Sequence, residues 1–388
     1  MGAPLQDQPK PLLARTDPEK GYQPPSFAIK ELRDAVPAHC FQRSTLTSSL
    51  YLVHDLVLIA ALGYLATYID ATLPAPLRYL AWPLYWVCQG IVGTGAWVIG
   101  HECGHQSFSP SRTINHAVGW AVHSALLVPF YAWKYSHASH HKSTNHMTKD
   151  EVFVPKTRQQ MGVSPSAQAI PAFMSAIDDT PLYTLYRVTG MSLVGWPLYL
   201  FTNASGPKYA QGASHFDPNS LLFKSHQRPN IHLSNVGVLL TMCALAYASY
   251  TFSLLTVVKF YVIPYLIVNF WLVTITFLQH THPSVPHYRQ DEWDFVRGAL
   301  CTIDRSFGPM LNYFFHNIND THVAHHLFST MPHYHAMEAT KAIKEVLGPY
   351  YCEDNTHWAV ALWSNNAHCH FVEDEGDVLF WRRRAPNQ

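Results

Sequence analysis

Four stretches of the chain are apolar and long enough to cross about 30 Å of hydrocarbon. Tyr51 to Ile69 carries only His54 and Asp55, both near its start, and Tyr79 to Gly100 is 22 residues without a charge. Asn235 to Gln279 is 45 residues with a single charge, Lys259, which divides it into two spans meeting at a short turn. The pattern predicts two transmembrane helical hairpins, at about 48–100 and 235–279. Two weaker apolar runs, His116 to Trp133 and Tyr186 to Phe201, are broken by Pro129 and Pro197 and are expected to be interfacial helices. Residues 1–44 are polar and proline-bearing, with no apolar signal-peptide core, and are expected as a retained cytoplasmic tail.

Charge orients this arrangement. Of the 26 Lys and Arg residues, 6 precede the first hairpin, 10 lie between the hairpins and 8 follow the second, leaving only Arg78 and Lys259 at the hairpin turns. The excess belongs on the cytoplasmic side. The expected fold is therefore an all-α integral membrane protein: one domain over 45–388, with four spans and a cytoplasmic helical cap over 101–234 and 280–388. Composition agrees, since 48% hydrophobic, 13% charged and 13% aromatic residues over 388 positions are too apolar for several soluble domains. Seven cysteines with no C-x-x-C pair argue against a disulfide framework and a thiolate zinc site, and so for a reducing compartment. No repeat or domain linker stands out.

Histidine supplies the candidate chemistry, at 25 residues of 388. His101-Glu102-Cys103-Gly104-His105 matches H-E-x-x-H, the pattern in which two histidines grip zinc and the glutamate acts as general base of a protease. Two further boxes, His137/His140/His141 and His322/His325/His326, both read H-x-x-H-H. On a helix, spacings of three and four share a face, so each box is expected to present its imidazoles towards one point. The first box follows the second span, the second precedes the second hairpin and the third follows the last span, so all eight emerge on the cytoplasmic side. Eight imidazoles exceed what one four-coordinate zinc takes, which implies two metal ions. Imidazole suits iron, zinc and copper alike, so ligand type leaves the metal open. A zinc protease would leave six box histidines unused, and the further acidic zinc-binding motif of such proteases, such as Leu-Asp-Gly, is absent from this sequence. A non-catalytic metal-binding membrane protein is the other alternative.

The boxes, their order and their placement around two hairpins resemble the membrane-bound fatty-acid desaturases. The similarity is closest to the fungal acyl-lipid Δ12 (oleate) desaturases in "HECGHQSFS", "HSALLVPF", "NHMTKDEVFVP", "FLQHTHPSVPHY", "RGALCTIDRSFG", "HVAHHLFSTMPHYHAMEATKAIK" and "FVEDEGDV". Ala138 and Ser139, inside the second box, are smaller than the basic residues often found there. The resemblance implies a di-iron centre held by the eight box histidines. It also implies a ninth ligand beyond the last span, with His280 preferred and His282 and His316 as alternatives. Glu102, Asp150 and Asp320 are candidate supporting carboxylates, whereas His333 and His335 are expected to be structural and Asp55 to reach water. Zinc is redox-inert, so hydrogen removal from an unactivated methylene needs iron with dioxygen. The implied substrate is an oleoyl chain on phospholipid, converted to linoleoyl in the endoplasmic reticulum membrane. The implied electron donor is cytochrome b5 with its NADH-dependent reductase, and no nucleic acid is expected as a partner. An ω3 or bifunctional desaturase and an oleate hydroxylase are the alternatives within this class.

Overall fold

The computed structural model describes residues 16–17, 21–162 and 180–383. Beyond two two-stranded ribbons, β1 (Thr16–Asp17) with β2 (Gly21–Tyr22) and β3 (Pro286–Tyr288) with β4 (Val378–Phe380), it is helical. A short helix α1 (Ile29–Ala35) precedes α2 (Thr45–Ala66), α3 (Ile69–Thr72) and the long α4 (Ala75–His105). Then come α5 (Arg112–Ala125), α6 (Phe130–Ser143), α7 (Pro181–Thr202), α8 (Arg228–Phe252), α9 (Leu254–Val257) and α10 (Ile263–His280). The cap is completed by α11 (Phe295–Ala299), α12 (Pro309–Phe314), α13 (His322–Leu327), α14 (His333–Leu347) and α15 (Trp358–His368).

Among the described residues three helical segments are long and apolar enough to cross a membrane: Thr45–Thr72, Ser225–Phe252 and Leu254–His280. Leu46, Leu50, Val53 and Val57 on the first, and Leu239, Leu240 and Met242 on the second, are exposed large apolar side chains with no protein neighbour to cover them. That is the surface a helix shows to lipid. The expected fourth span is a helix but lacks their hydropathy. Gly, Trp, Tyr and Gln replace the aliphatic residues of α4 because it is the central helix, packed against α2, α5 and α10 and buried almost continuously from Gly90 to His105. Close approach explains its small residues: a Cβ on Gly90 would lie 2.4 Å from Ile267, and one on Gly100 2.2 Å from the His123 ring. At 31 residues α4 spans about 45 Å. It is thus longer than a bilayer core is thick, and its last turn carries His101 and His105.

The break between the last two apolar helices is not at Lys259. It falls at Ser253, whose φ of 125° ends α8, and Lys259 sits in a π-helical turn over Val258–Val262. The carbonyl that this wider turn frees accepts Trp86 Nε1–H at 2.9 Å, and Lys259 Nζ reaches Asp70 at 2.7 Å. A lysine inside an apolar run marked a clasp to Asp70 on α3 and Trp86 on α4, not a turn. The run His116 to Trp133 is likewise two helices, α5 and α6, separated by a bend in which Leu127 takes φ 54°. Tyr186 to Phe201 lies within α7, which continues through Pro197.

In the cap, α13 and α14 share a core with the stretch expected as a tail. Leu32, Val36 and Cys40 are buried among Val323, Leu327, Ala339 and Ile343. Ser44 then starts the first membrane helix: its Oγ accepts Thr47 N–H at 3.2 Å, and its own N–H donates to Tyr334 Oη at 2.8 Å.

Candidate metal centre

The three boxes converge, but two of them are divided between two groups. His101 and His105, at i and i+4 on the last turn of α4, approach with Nε2 atoms 3.2 Å apart. On α6 His137 and His141 meet this pair, with His137 Nε2 3.0 Å from His101 Nε2 and 3.1 Å from His141 Nε2. With His325 they form a group of five whose ligand atoms all lie within 4.8 Å of one another. His140, His280 and His326 form a second such group, and His322 Nε2 lies 3.0 Å from His280 Nε2. The expectation that each H-x-x-H-H box aims at a single point is therefore corrected. At about 100° per residue, adjacent histidines such as 140 and 141 diverge, so a box at this spacing straddles two sites. The stacked rings of His141 and His326, 4.0 Å between centroids, form the seam.

Electrostatics favour a cation at each group. Burial first, and mutual repulsion second, hold His137, His141, His322 and His326 well below the usual imidazole range, and burial takes His325 down to about 3. These rings are neutral at physiological pH and offer lone pairs. Nε2 of His325 and of His326 are buried with no hydrogen-bond partner, which is costly unless something else fills the role. Ligands about 2.1 Å from one ion and at right angles to each other lie about 3.0 Å apart, which the nitrogen separations match. The residues therefore fit two metal ions, and five nitrogens in one group are more than zinc's tetrahedral habit uses.

Supporting groups fix the rings. Asp150 Oδ1 accepts His140 Nδ1–H at 2.8 Å, Val152 N–H at 2.9 Å and Phe153 N–H at 3.1 Å, which leaves His140 Nε2 to face the group. Thr144 Oγ1 donates to the His140 carbonyl and lies 3.0 Å from His326 Nδ1, giving His326 the same orientation. Glu102 lies 3.5 Å from His101 Nδ1 and accepts Ser107 Oγ–H at 2.8 Å and His333 N–H at 3.0 Å. Held this way it braces the start of α14, which is not the posture of a protease general base.

The structure does not bring the other candidates to the centre. Asp320 takes amide hydrogens from Asn312 at 2.6 Å and Asn317 at 3.2 Å, contacts no imidazole, and is pushed up to about 6 by burial. His282 accepts Ser284 N–H at 3.1 Å and belongs to neither group. His316 is bonded to Asp55 Oδ2 at 2.7 Å. Asp55 does not reach water: it is 1% exposed, because His316 and His54 enclose it. His333 packs on His316 and Tyr51, and His335 lies beside His39. One supporting residue escaped sequence reading. Asp304, pushed up to about 7 chiefly by burial, accepts Val323 N–H at 2.8 Å and so caps the helix bearing the third box. Its signal was a lone carboxylate in the stretch "ALCTID".

A cavity of about 470 Å³ adjoins both groups. His101, His137, His140, His280 and His322 form part of its wall, and its lining runs from Thr94 on α4 and Val273 on α10 to Arg187 on α7 and Lys156 in the cap. Size and largely apolar lining suit a small-molecule or lipid ligand.

Comparison with known proteins places this geometry. Residues 80–358 match the fatty acid desaturase family. A Delta(12) fatty acid desaturase of Mortierella isabellina is 52% identical over 379 residues, covering 96% of this chain and 95% of the relative. An endoplasmic reticulum omega-6 fatty acid desaturase of Brassica juncea is 46% identical, covering 98% of both. An oleate hydroxylase of Claviceps purpurea is 42% identical, covering 94% of this chain and 82% of that one. A match over most of the chain, with histidine groups suited to metal beside an apolar cavity, means that the chain belongs to the fatty acid desaturase family.

Proposed function

We propose that the chain is a Δ12 acyl-lipid desaturase of the endoplasmic reticulum membrane that converts phospholipid-bound oleoyl to linoleoyl. The observation that carries this reading is two adjoining groups of buried imidazoles walling one apolar cavity. His101, His105, His137, His141 and His325 would hold one iron, and His140, His280, His322 and His326 the other. With dioxygen and two electrons from cytochrome b5 and its NADH-dependent reductase, such a pair supplies the oxidising strength to take two hydrogens from adjacent methylenes, with the dioxygen leaving as water. The chain's own residues do the rest. Trp97, Trp133 and Leu272 exclude water from the acyl chain, Asp150 and Thr144 fix ring orientation, and Lys156 and Arg187 provide positive charge where the cavity lining meets the cap.

The four-span topology belongs to this reading, with α4 as the fourth span and residues 1–44, 101–234 and 280–388 facing the cytoplasm. Two features favour it: His101/His105 and His280 lie at the ends of α4 and α10 that meet the cap, which holds 18 of the 26 Lys and Arg residues, and Arg78 and Lys259 lie at the opposite end, where Lys and Arg are sparse. Regioselectivity rests on the named activity of the 52% identical relative. The hydroxylase likeness makes 12-hydroxylation the second reading. Expression in a yeast that makes oleate but no polyunsaturated lipid separates the two. Linoleate as the main new fatty acid is expected, with a little hexadecadienoate, because a misplaced methylene costs only about 1–3 kcal/mol of discrimination. Hydroxy-oleate as the main product would overturn the Δ12 reading, and α-linolenate formed only from fed linoleate would make the enzyme an ω3 desaturase.

A further inference from the structure

A second cluster of metal-ligating groups lies in the cap, separate from the nine histidines. His39, Cys40, His335 and Glu338 each place a ligand atom within 4.8 Å of all the others. His39 and Cys40 come from a 3-10 turn over Ala38–Phe41, and His335 and Glu338 share one face of α14 at i and i+3. His39 Nε2 is 2.9 Å from Glu338 Oε2 and 3.7 Å from Cys40 Sγ, and the His39 and His335 rings are 5.4 Å apart. Ligands about 2.0–2.3 Å from a tetrahedral ion lie about 3.3–3.8 Å from each other, so only small side-chain shifts separate this cluster from a complete shell.

We propose that His39, Cys40, His335 and Glu338 form a structural zinc site that clips the amino-terminal segment to the cap. Two imidazoles, a thiolate and a carboxylate are a borderline-soft set of four, the number and type that structural zinc takes. Cys40 sits at the floor of the site and is fully buried, while His39 and Glu338 are half-exposed, so an ion can enter from the aqueous side. The absence of a C-x-x-C pair is no obstacle, because the halves, some 300 residues apart in sequence, are joined by packing of Leu32, Val36 and Cys40 against α14. The clip would hold Ser44 against Tyr334, and so the start of the first membrane helix against the element whose first N–H meets Glu102. It would not touch the cavity.

The test uses the purified full-length, iron-loaded chain in detergent micelles, equilibrated with Zn(II) and, separately, with Co(II), beside Cys40→Ser and Glu338→Gln. The wild type should bind one Zn(II) per chain in addition to its iron and, with Co(II), give the near-ultraviolet absorption of a thiolate–cobalt bond. Cys40→Ser should lose that absorption at unchanged iron content. Glu338→Gln, a half-exposed position that does not threaten folding, should weaken zinc at least about tenfold. Stripping zinc should speed proteolysis within residues 27–42 without releasing iron. No zinc beyond that at the iron site, zinc retained by both variants, or Co(II) bound without a thiolate signature would overturn the proposal.

Discussion

Asp150 and Asp320 are both carboxylates in the cap, and their surroundings assign them opposite weight. Asp150 holds the Nδ1–H of His140 and three backbone N–H groups, whereas Asp320 holds two asparagine amides. Asp150→Asn is expected to lower metal affinity and desaturation by about 10–100-fold, the usual cost of losing an outer-shell partner. Asp320→Asn should stay within about twofold, with full iron; metal analysis and fatty-acid profiling of the same membranes check both. In the same assays His280→Ala is expected to lose about half the iron and nearly all activity, and His282→Ala to keep its iron, since only His280 meets the other imidazoles. The eight box histidines were legible because their spacing is improbable by chance, and His280 through the resemblance and its place directly after an apolar run. Their division into five and four was not, because spacing along one helix fixes directions but not the positions of three helices about a point.

Among the elements, α4 carries the most constraint. Its glycines let α5 and α10 approach, and Gly100 in particular admits the His123 ring one residue before the first box. Gly100→Ala should destabilise the protein by about 1–3 kcal/mol through overpacking and move His101. Gly63→Ala on α2, where a Cβ meets nothing within 4 Å, should be nearly neutral or slightly stabilising. Thermal unfolding in detergent, followed by intrinsic tryptophan fluorescence, distinguishes the two. Apolar runs and their length located the helices α2, α4, α8 and α10, yet placed the break at Lys259, because a charge in an apolar run ordinarily signals a turn. The π turn and the Asp70 partner that keep Lys259 inside a helix lie in tertiary structure, where a one-dimensional pattern has no access. Residues 27–41 misled the reading for the converse reason: their few buried side chains are too sparse to register as an apolar run, but fit a groove already made by α13 and α14.

For the whole molecule, the proposed function requires that the histidines of α4, α6, α10 and α13 share one side of the bilayer. Reporter tags at the amino terminus, near Arg158 and at the carboxyl terminus should therefore all face the cytoplasm, while a glycosylation acceptor inserted beside Ser253 should be modified in the lumen. A lumenal signal from any of the three tags would separate residues that have to meet. The mostly helical fold with membrane-length apolar helices was legible from the apolar runs, whereas the distribution of Lys and Arg supplies only the expected orientation that these tags test. The cavity was not, because its walls come from helices that are distant in sequence, and it is their packing that leaves the space between Thr94 and Lys156. The central claim is that nine imidazoles hold two irons as five and four, and Mössbauer spectroscopy of the 57Fe-loaded, purified chain tests it most directly. About two irons per chain, in two nitrogen-ligated environments of nearly equal area, one depleted when His140 is replaced by Ala and the other when His141 is, is the expected result. A single iron environment, or a chain fully active with one zinc and no iron, would contradict the account.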